Sequence, residues 1–279
     1  MSATRGRAVA VLEVILVWGA TVALVLGAWA SPLGGWQLRT LGRPFLNHAI
    51  FALAPVLWLA IARRDLASHG ITCRNLRSDV RVALSCFFPV AVAGASLGFL
   101  PHTRWYGALA ESAIQVAVLF AVAHLLSRKL DPASGVWTIG LALVLLGAYS
   151  CWRSLLPGIG GAISSFCYYL VLVGFGEEIL YRGYMQTRLS DAFGRPFRFR
   201  EVGWGWGVIV TSLLFGLSHL LNGWDPATGR FEPLWWWAVW TFFGGLVFSY
   251  VRERTGSIVA PALLHGLPQA LVYLLIRGW

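Results

Sequence analysis

The run AVAVLEVILVWGATVALVLGAW, residues 8–29, holds a single charged residue, Glu13. A helix crosses a bilayer with about 20 apolar residues, so this run alone is long enough to span one. Moving outward from it, eight further runs of the same kind occupy residues 45–62, 82–100, 107–126, 136–152, 162–185, 204–221, 234–250 and 258–276. They are continuously apolar rather than alternating, which favours helices over barrel strands, the only other structure that satisfies its backbone in lipid. Charged residues make up 12% of the chain, about half the ~25% usual in soluble domains, too few to cover a water-exposed surface. The fold class is therefore all-α, a polytopic transmembrane helix bundle with eight to nine candidate spans. One of the nine is part of a bent element or stops short of a full crossing. The expected division is an N-terminal transmembrane region, residues 1–160, and a second region, 161–279, that carries the chemistry.

The net charge of +10 does not indicate nucleic acid. Basic residues sit in short loops between apolar runs, with no basic stripe on a soluble domain. With nine crossings and the N-terminus inside, 15 Lys and Arg residues fall on the inner side and six on the outer, leaving Arg182 within a span. That asymmetry predicts a cytoplasmic N-terminus, with loops 63–81 and 188–200 also cytoplasmic. Trp204, Trp206, Trp224 and Trp235 to Trp237 fall at span ends, where interfacial aromatics belong. The first run follows Arg5 and Arg7 and precedes a small-residue Ala28-Trp29-Ala30 triplet, as a signal peptide would; its length favours an uncleaved anchor. The localisation expected is the plasma membrane of a bacterium. Cys86, Cys151 and Cys167 lie in apolar runs and Cys73 in a basic loop, without a CxxC pair. Neither disulfides nor a thiolate metal site is expected; buried small thiols are the default.

Charged groups inside a span are costly and usually functional. Glu13 and Glu111 lie toward span ends and read as interfacial or paired structural carboxylates. Glu177 and Glu178 differ, because they are adjacent and Arg182 follows in Gly176-Glu177-Glu178-Ile179-Leu180-Tyr181-Arg182-Gly183. Glu178 and Arg182 share a helix face and can pair, whereas Glu177 points about 100° away. Such an arrangement gives neighbouring carboxylates different environments and different tasks. Two further i,i+4 pairs follow, Phe215 with His219 and His265 with Gln269. Together these groups offer a general base, imidazoles and an amide donor in a low-dielectric setting.

The order Glu-Glu-x-x-x-Arg at Glu177, Glu178 and Arg182, Phe-x-x-x-His at Phe215 and His219, and a late His-x-x-x-polar at His265 resembles the CPBP family. That family comprises CAAX prenyl endopeptidases and bacteriocin-processing enzymes, the Abi-type glutamate intramembrane proteases. Arg182-Gly183-Tyr184-Met185-Gln186 is also similar to the family's run after its arginine. The similarity covers about residue 162 to the C-terminus. The resemblance implies a core of eight spans and peptide hydrolysis by an intramembrane endopeptidase without a covalent intermediate, metal or cofactor. Glu177 with His219 would activate water, and His265 with Gln269 would stabilise the oxyanion. Glu178 belongs to the catalytic pair, and Arg182 and Phe215 support it. The family usually carries Asn at the position of Gln269, which keeps the amide and adds one methylene. The implied partners are the lipid bilayer and a membrane-anchored or secreted peptide or protein substrate.

Three other readings stay open. Glu and His can ligate zinc, although the chain has no HExxH. The same fold can serve a non-catalytic binding or immunity protein. Intramembrane Glu and His also build proton relays in transporters, which commonly show internal repeats that this chain lacks. Hydropathy places His219 near the outer end of its run, and Glu177 and His265 nearer the inner side. Their meeting calls for a tilt, a re-entry or a break, with Gly174 and Gly176 available for a break.

Overall fold

The computed structural model describes residues 3–276 apart from 129, 131, 154–158, 226 and 227. Lys129 and Arg277 of the charge count lie outside the described residues, as does the side chain of Cys151. The described chain is mostly helical. It runs through α1 (Ala3–Ala30), α2 (Pro32–Leu41), α3 (Phe45–Ile61), α4 (Leu76–Ser96), α5 (Trp105–Leu126) and α6 (Ala133–Arg153). A long rod follows, made of α7 (Ile159–Cys167), a π-helical stretch Tyr168–Phe175, α8 (Gly176–Glu178), a second π-helical stretch Ile179–Gln186, and α9 (Thr187–Phe193). The hairpin of β1 (Phe197–Phe199) and β2 (Val202–Trp204) leads to α10 (Trp206–Ser218), which tightens into a 3₁₀ turn over His219–Gly223. A minimal ladder of β3 (Trp224–Asp225) and β4 (Arg230–Phe231) precedes α11 (Trp235–Thr255) and α12 (Val259–Ile276).

Five described helices are long and apolar enough to cross a membrane: Thr4–Ala30, Leu76–Ser96, Trp105–Leu126, Ile163–Phe193 and Trp206–Gly223. The count reaches six if α2 and α3, which meet at 116°, act as one broken span. This corrects the eight to nine spans read from the sequence. Residues 45–62 form only the second arm of that elbow. Residues 235–250 belong to α11, which opens on three tryptophans and carries Arg252, Glu253 and Arg254 in its last turn. Apolar runs identify helices, but a crossing also needs uninterrupted length along one axis.

Between helices in lipid there is no large hydrophobic driving force; close packing and polar contacts of about 0.6–2 kcal/mol hold a bundle together. Both are visible. One apolar cluster joins α4, α5, α11 and α12 through Phe87, Val90, Val122, Val247, Val251 and Leu264. A second joins α1, α3, the rod and α10 through Val14, Leu59, Leu180, Tyr184, Met185 and Phe215. Glu13 ties α1 to both partners at one end: it accepts from Arg64 at 2.6 and 2.9 Å, from Trp58 and Tyr184 at 3.0 Å, and from Arg188 at 2.9 Å. It is thus a paired structural carboxylate. Glu111 is fully buried, with Oε1 accepting from Ser96 at 2.5 Å and Oε2 without a hydrogen-bond partner among the described residues. Cys86 is buried, whereas Cys167 and Cys73 are exposed, so Cys167 departs from the buried-thiol reading because its face of the helix points outward.

The rod does not break at Gly174 or Gly176. These glycines serve close approach instead. A Cβ on Gly174 would stand 2.7 Å from the Ala262 carbonyl oxygen, and one on Gly266 2.6 Å from that of Tyr169. Bare backbone at both positions lets α12 lie directly against the rod, which brings His265 alongside the glutamates.

Candidate active site

Glu177 and Glu178 sit in α8, flanked on both sides by π-helical turns. Such widened turns are rare and recur at functional sites. Glu178 is fully buried, and its Oε1 accepts from Arg182 Nη1 at 3.0 Å, the i,i+4 pair that helix geometry allows. The same oxygen lies 3.1 Å from His265 Nδ1. A carboxylate here is an acceptor, so His265 Nδ1 carries a proton; its Nε2 accepts in the neutral ring and donates once the ring is protonated. Arg182 is also fully buried; its Nη2 donates to the Gly245 carbonyl on α11 at 2.9 Å, and its guanidinium lies 4.6 Å from the Phe215 ring centre.

Glu177 turns to another face. Its Oε2 lies 3.9 Å from His265 Nε2, and its Oε1 lies 3.5 Å from Nε2 of His48 on α3. Oε2 is buried without a hydrogen-bond partner among the described residues. His219 caps α10, with Nδ1 2.8 Å from the Phe215 carbonyl oxygen, four residues back. That contact protonates Nδ1 and leaves Nε2 as an acceptor. The Phe215 ring packs edge-on to His219 at 4.8 Å, to Tyr181 at 5.1 Å and to His265 at 5.7 Å, so it separates and orients the two imidazoles.

Glu177, Phe215, His219, His265 and Gln269 line one cavity of about 590 Å³. The groups that the linear hydropathy separated are therefore brought together by packing, without a break in the motif helix. Glu178 and Arg182 stand behind the cavity wall, linked to it through His265. Gln269 is half-buried, and α12 continues through Pro268. Among the described residues, no three His, Cys, Asp or Glu side chains stand close enough to hold one metal ion.

Several wall residues were not singled out by the sequence. His48 lies in a run read only for its hydropathy, and a histidine within a span was the available signal. Trp237, read as an interfacial anchor, lines the cavity with Trp240 and His102; its ring stands 5.5 Å from His102 and 6.2 Å from His219. Trp206, Trp235 and Trp236 are exposed, as membrane-facing anchors should be.

No curated protein and no solved structure gives a significant match to this chain. A family model does match: that of "Type II CAAX prenyl endopeptidase Rce1-like", over residues 159–271, the part that holds both glutamates, Arg182, Phe215, His219, His265 and Gln269. Residues 1–158 lie outside the match, which supports a CPBP family assignment for the matched part of this integral membrane helix bundle.

Proposed function

We propose that the chain is an intramembrane endopeptidase in which Glu177, assisted by His219, takes a proton from water as that water attacks a peptide carbonyl. His265 and Gln269 stabilise the resulting oxyanion. Glu178 and Arg182 hold His265 and the rod in place, and Phe215 packs behind His219. The observation that carries this reading is Glu177 Oε2, a buried acceptor with no hydrogen-bond partner among the described residues, 3.9 Å from an imidazole nitrogen, on a residue that lines the 590 Å³ cavity. Atoms at that separation can share one bridging water. Removal from bulk solvent strengthens each of these interactions. The substrates are membrane-anchored or secreted peptides, cut next to or within the bilayer. Residues 161–279 supply the reacting groups, and residues 1–160 supply much of the cavity wall.

The test uses purified protein in lipid vesicles and a set of fluorogenic peptides. One ends in a farnesylated CAAX box; the others are unmodified membrane-anchored sequences. Mass spectrometry is expected to find new peptide termini with wild type and none with Glu177→Ala. Cleavage should persist after chelation, with zinc well below one ion per chain by elemental analysis. Stoichiometric zinc lost together with activity would replace this mechanism with a metal-dependent one. Binding of a peptide by wild type without cleavage of any would favour the non-catalytic reading, which the Asn-to-Gln departure at Gln269 keeps in view.

The site belongs in a bacterial plasma membrane with the N-terminus in the cytoplasm. Arg64 and Arg188 meet on the one Glu13 carboxylate, and Arg195 pairs with Glu253, so the basic loops gather at one end of the bundle. Single cysteines introduced in loops 63–81 and 188–200 are expected to resist an impermeant maleimide in intact cells and react after lysis. Labelling of either loop in intact cells would reverse the orientation.

A further inference from the structure

We propose that His48 is a positioning residue for Glu177, the middle of a Tyr168–His48–Glu177 relay that orients the general base. This rests on the reading of Glu177 as that base. His48 Nδ1 lies 2.8 Å from the Tyr168 hydroxyl and 3.5 Å from the Pro44 carbonyl oxygen. Glu177 Oε1, facing Nε2, is a carboxylate oxygen and can only accept, which places the proton of the neutral ring on Nε2 and makes the tyrosine O–H the donor to Nδ1. That N–H faces Glu177 Oε1 at 3.5 Å. Oε1 is thereby the held oxygen and Oε2 the one left to receive a proton. A base oriented by one group, itself oriented by a third, is the general logic of activated sites.

The placement of His48 is built into the fold. The elbow between α2 and α3 is locked by buried amides: Gln37 Nε2 donates to Asn47 Oδ1 at 2.5 Å, the Leu46 N–H donates to Gln37 Oε1 at 2.9 Å, and Asn47 Nδ2 donates to the Val25 carbonyl at 3.0 Å. His48 follows directly, in the first turn of α3. On the opposite side, a Cβ on Gly176 would stand 2.9 Å from the His48 carbonyl oxygen. The glycine beside Glu177 therefore admits the α3 backbone that carries this histidine. The Tyr168 ring also packs edge-on to the imidazole at 5.0 Å, limiting its rotation.

The experiment measures kcat and KM of wild type, His48→Ala, His48→Gln, Tyr168→Phe and Glu177→Gln on the peptide set described above, with thermal melting of each. A base displaced by ~1 Å loses on the order of 100-fold in rate. His48→Ala is expected to lower kcat by about that factor with KM little changed. His48→Gln, whose amide N–H can still reach Glu177, should recover part of the loss, and Tyr168→Phe should fall between. Full kcat in His48→Ala alongside an inactive Glu177→Gln would overturn the relay and leave the protease reading standing. A loss confined to KM, or one that simply follows a lowered melting temperature, would overturn it too. Undiminished cleavage by Glu177→Gln would overturn the reading of the base, and the relay with it. A measurement free of turnover uses ¹⁵N-labelled histidine: the His48 imidazole resonances should shift in Glu177→Gln, and an unmoved spectrum also overturns the relay.

Discussion

Glu177→Gln is expected to abolish detectable cleavage while leaving the bundle folded. The substitution keeps the shape of the side chain, and the amide oxygen can still accept from His48, 3.5 Å away in the wild type. It removes the ability to take up a proton. Loss of a general base costs ~10²–10⁴ in rate, and a reoriented water adds to that. Glu177 is not part of the buried Glu178–Arg182 pair, so the melting temperature should move little. Full activity of this variant, at matched protein levels, defeats the assigned role. Glu178→Gln serves as the comparison and should keep measurable activity. Its own loss comes through His265, whose Nδ1 proton rests on Glu178 Oε1 at 3.1 Å. Equal losses in both variants with normal folding would make the two glutamates a coupled dyad.

Arg182→Leu is the second large effect, and it falls on stability. Arg182 and Glu178 are both fully inaccessible to solvent, 3.0 Å apart. Removing one partner of a buried ion pair costs about 3–5 kcal/mol, because the other charge stays behind without compensation. The variant also loses the donor to the Gly245 carbonyl, which joins the rod to α11. At ~2–4 °C per kcal/mol for a chain approaching this size, melting should fall on the order of 10 °C. The double variant Arg182→Leu with Glu178→Gln removes both charges and should melt above Arg182→Leu alone. A double variant whose loss is the sum of the two single losses would show that the pair is not energetically coupled.

These expectations divide according to how far apart the participating residues are in the chain. Contacts within a helix are legible in the sequence alone. Glu178 meets Arg182, and Phe215 meets His219, because residues four apart lie on one helix face whatever surrounds them. The helical fold class is legible for a similar reason, since a continuously apolar backbone in lipid must pair its polar groups within the helix. The number of crossings is not. It depends on the 116° elbow between α2 and α3, and on how the tryptophan-rich start and charged end of α11 sit relative to the bilayer.

The site is half legible. Its carboxylates, arginine and late histidines can be named from local pattern, but not the contacts among them. His265 reaches Glu178 because Gly174 and Gly266 let two helix backbones touch, and His48 reaches Glu177 because Gly176 admits α3. Such meetings depend on which helix surfaces fit against each other, a property of shape across the whole bundle that no single segment carries. The sequence by itself therefore determined the helices, the paired Glu178 and Arg182, and the inventory of reactive groups. Only the tertiary structure decided that three helices from distant parts of the chain converge on Glu177, because helix neighbours in lipid are chosen by close packing.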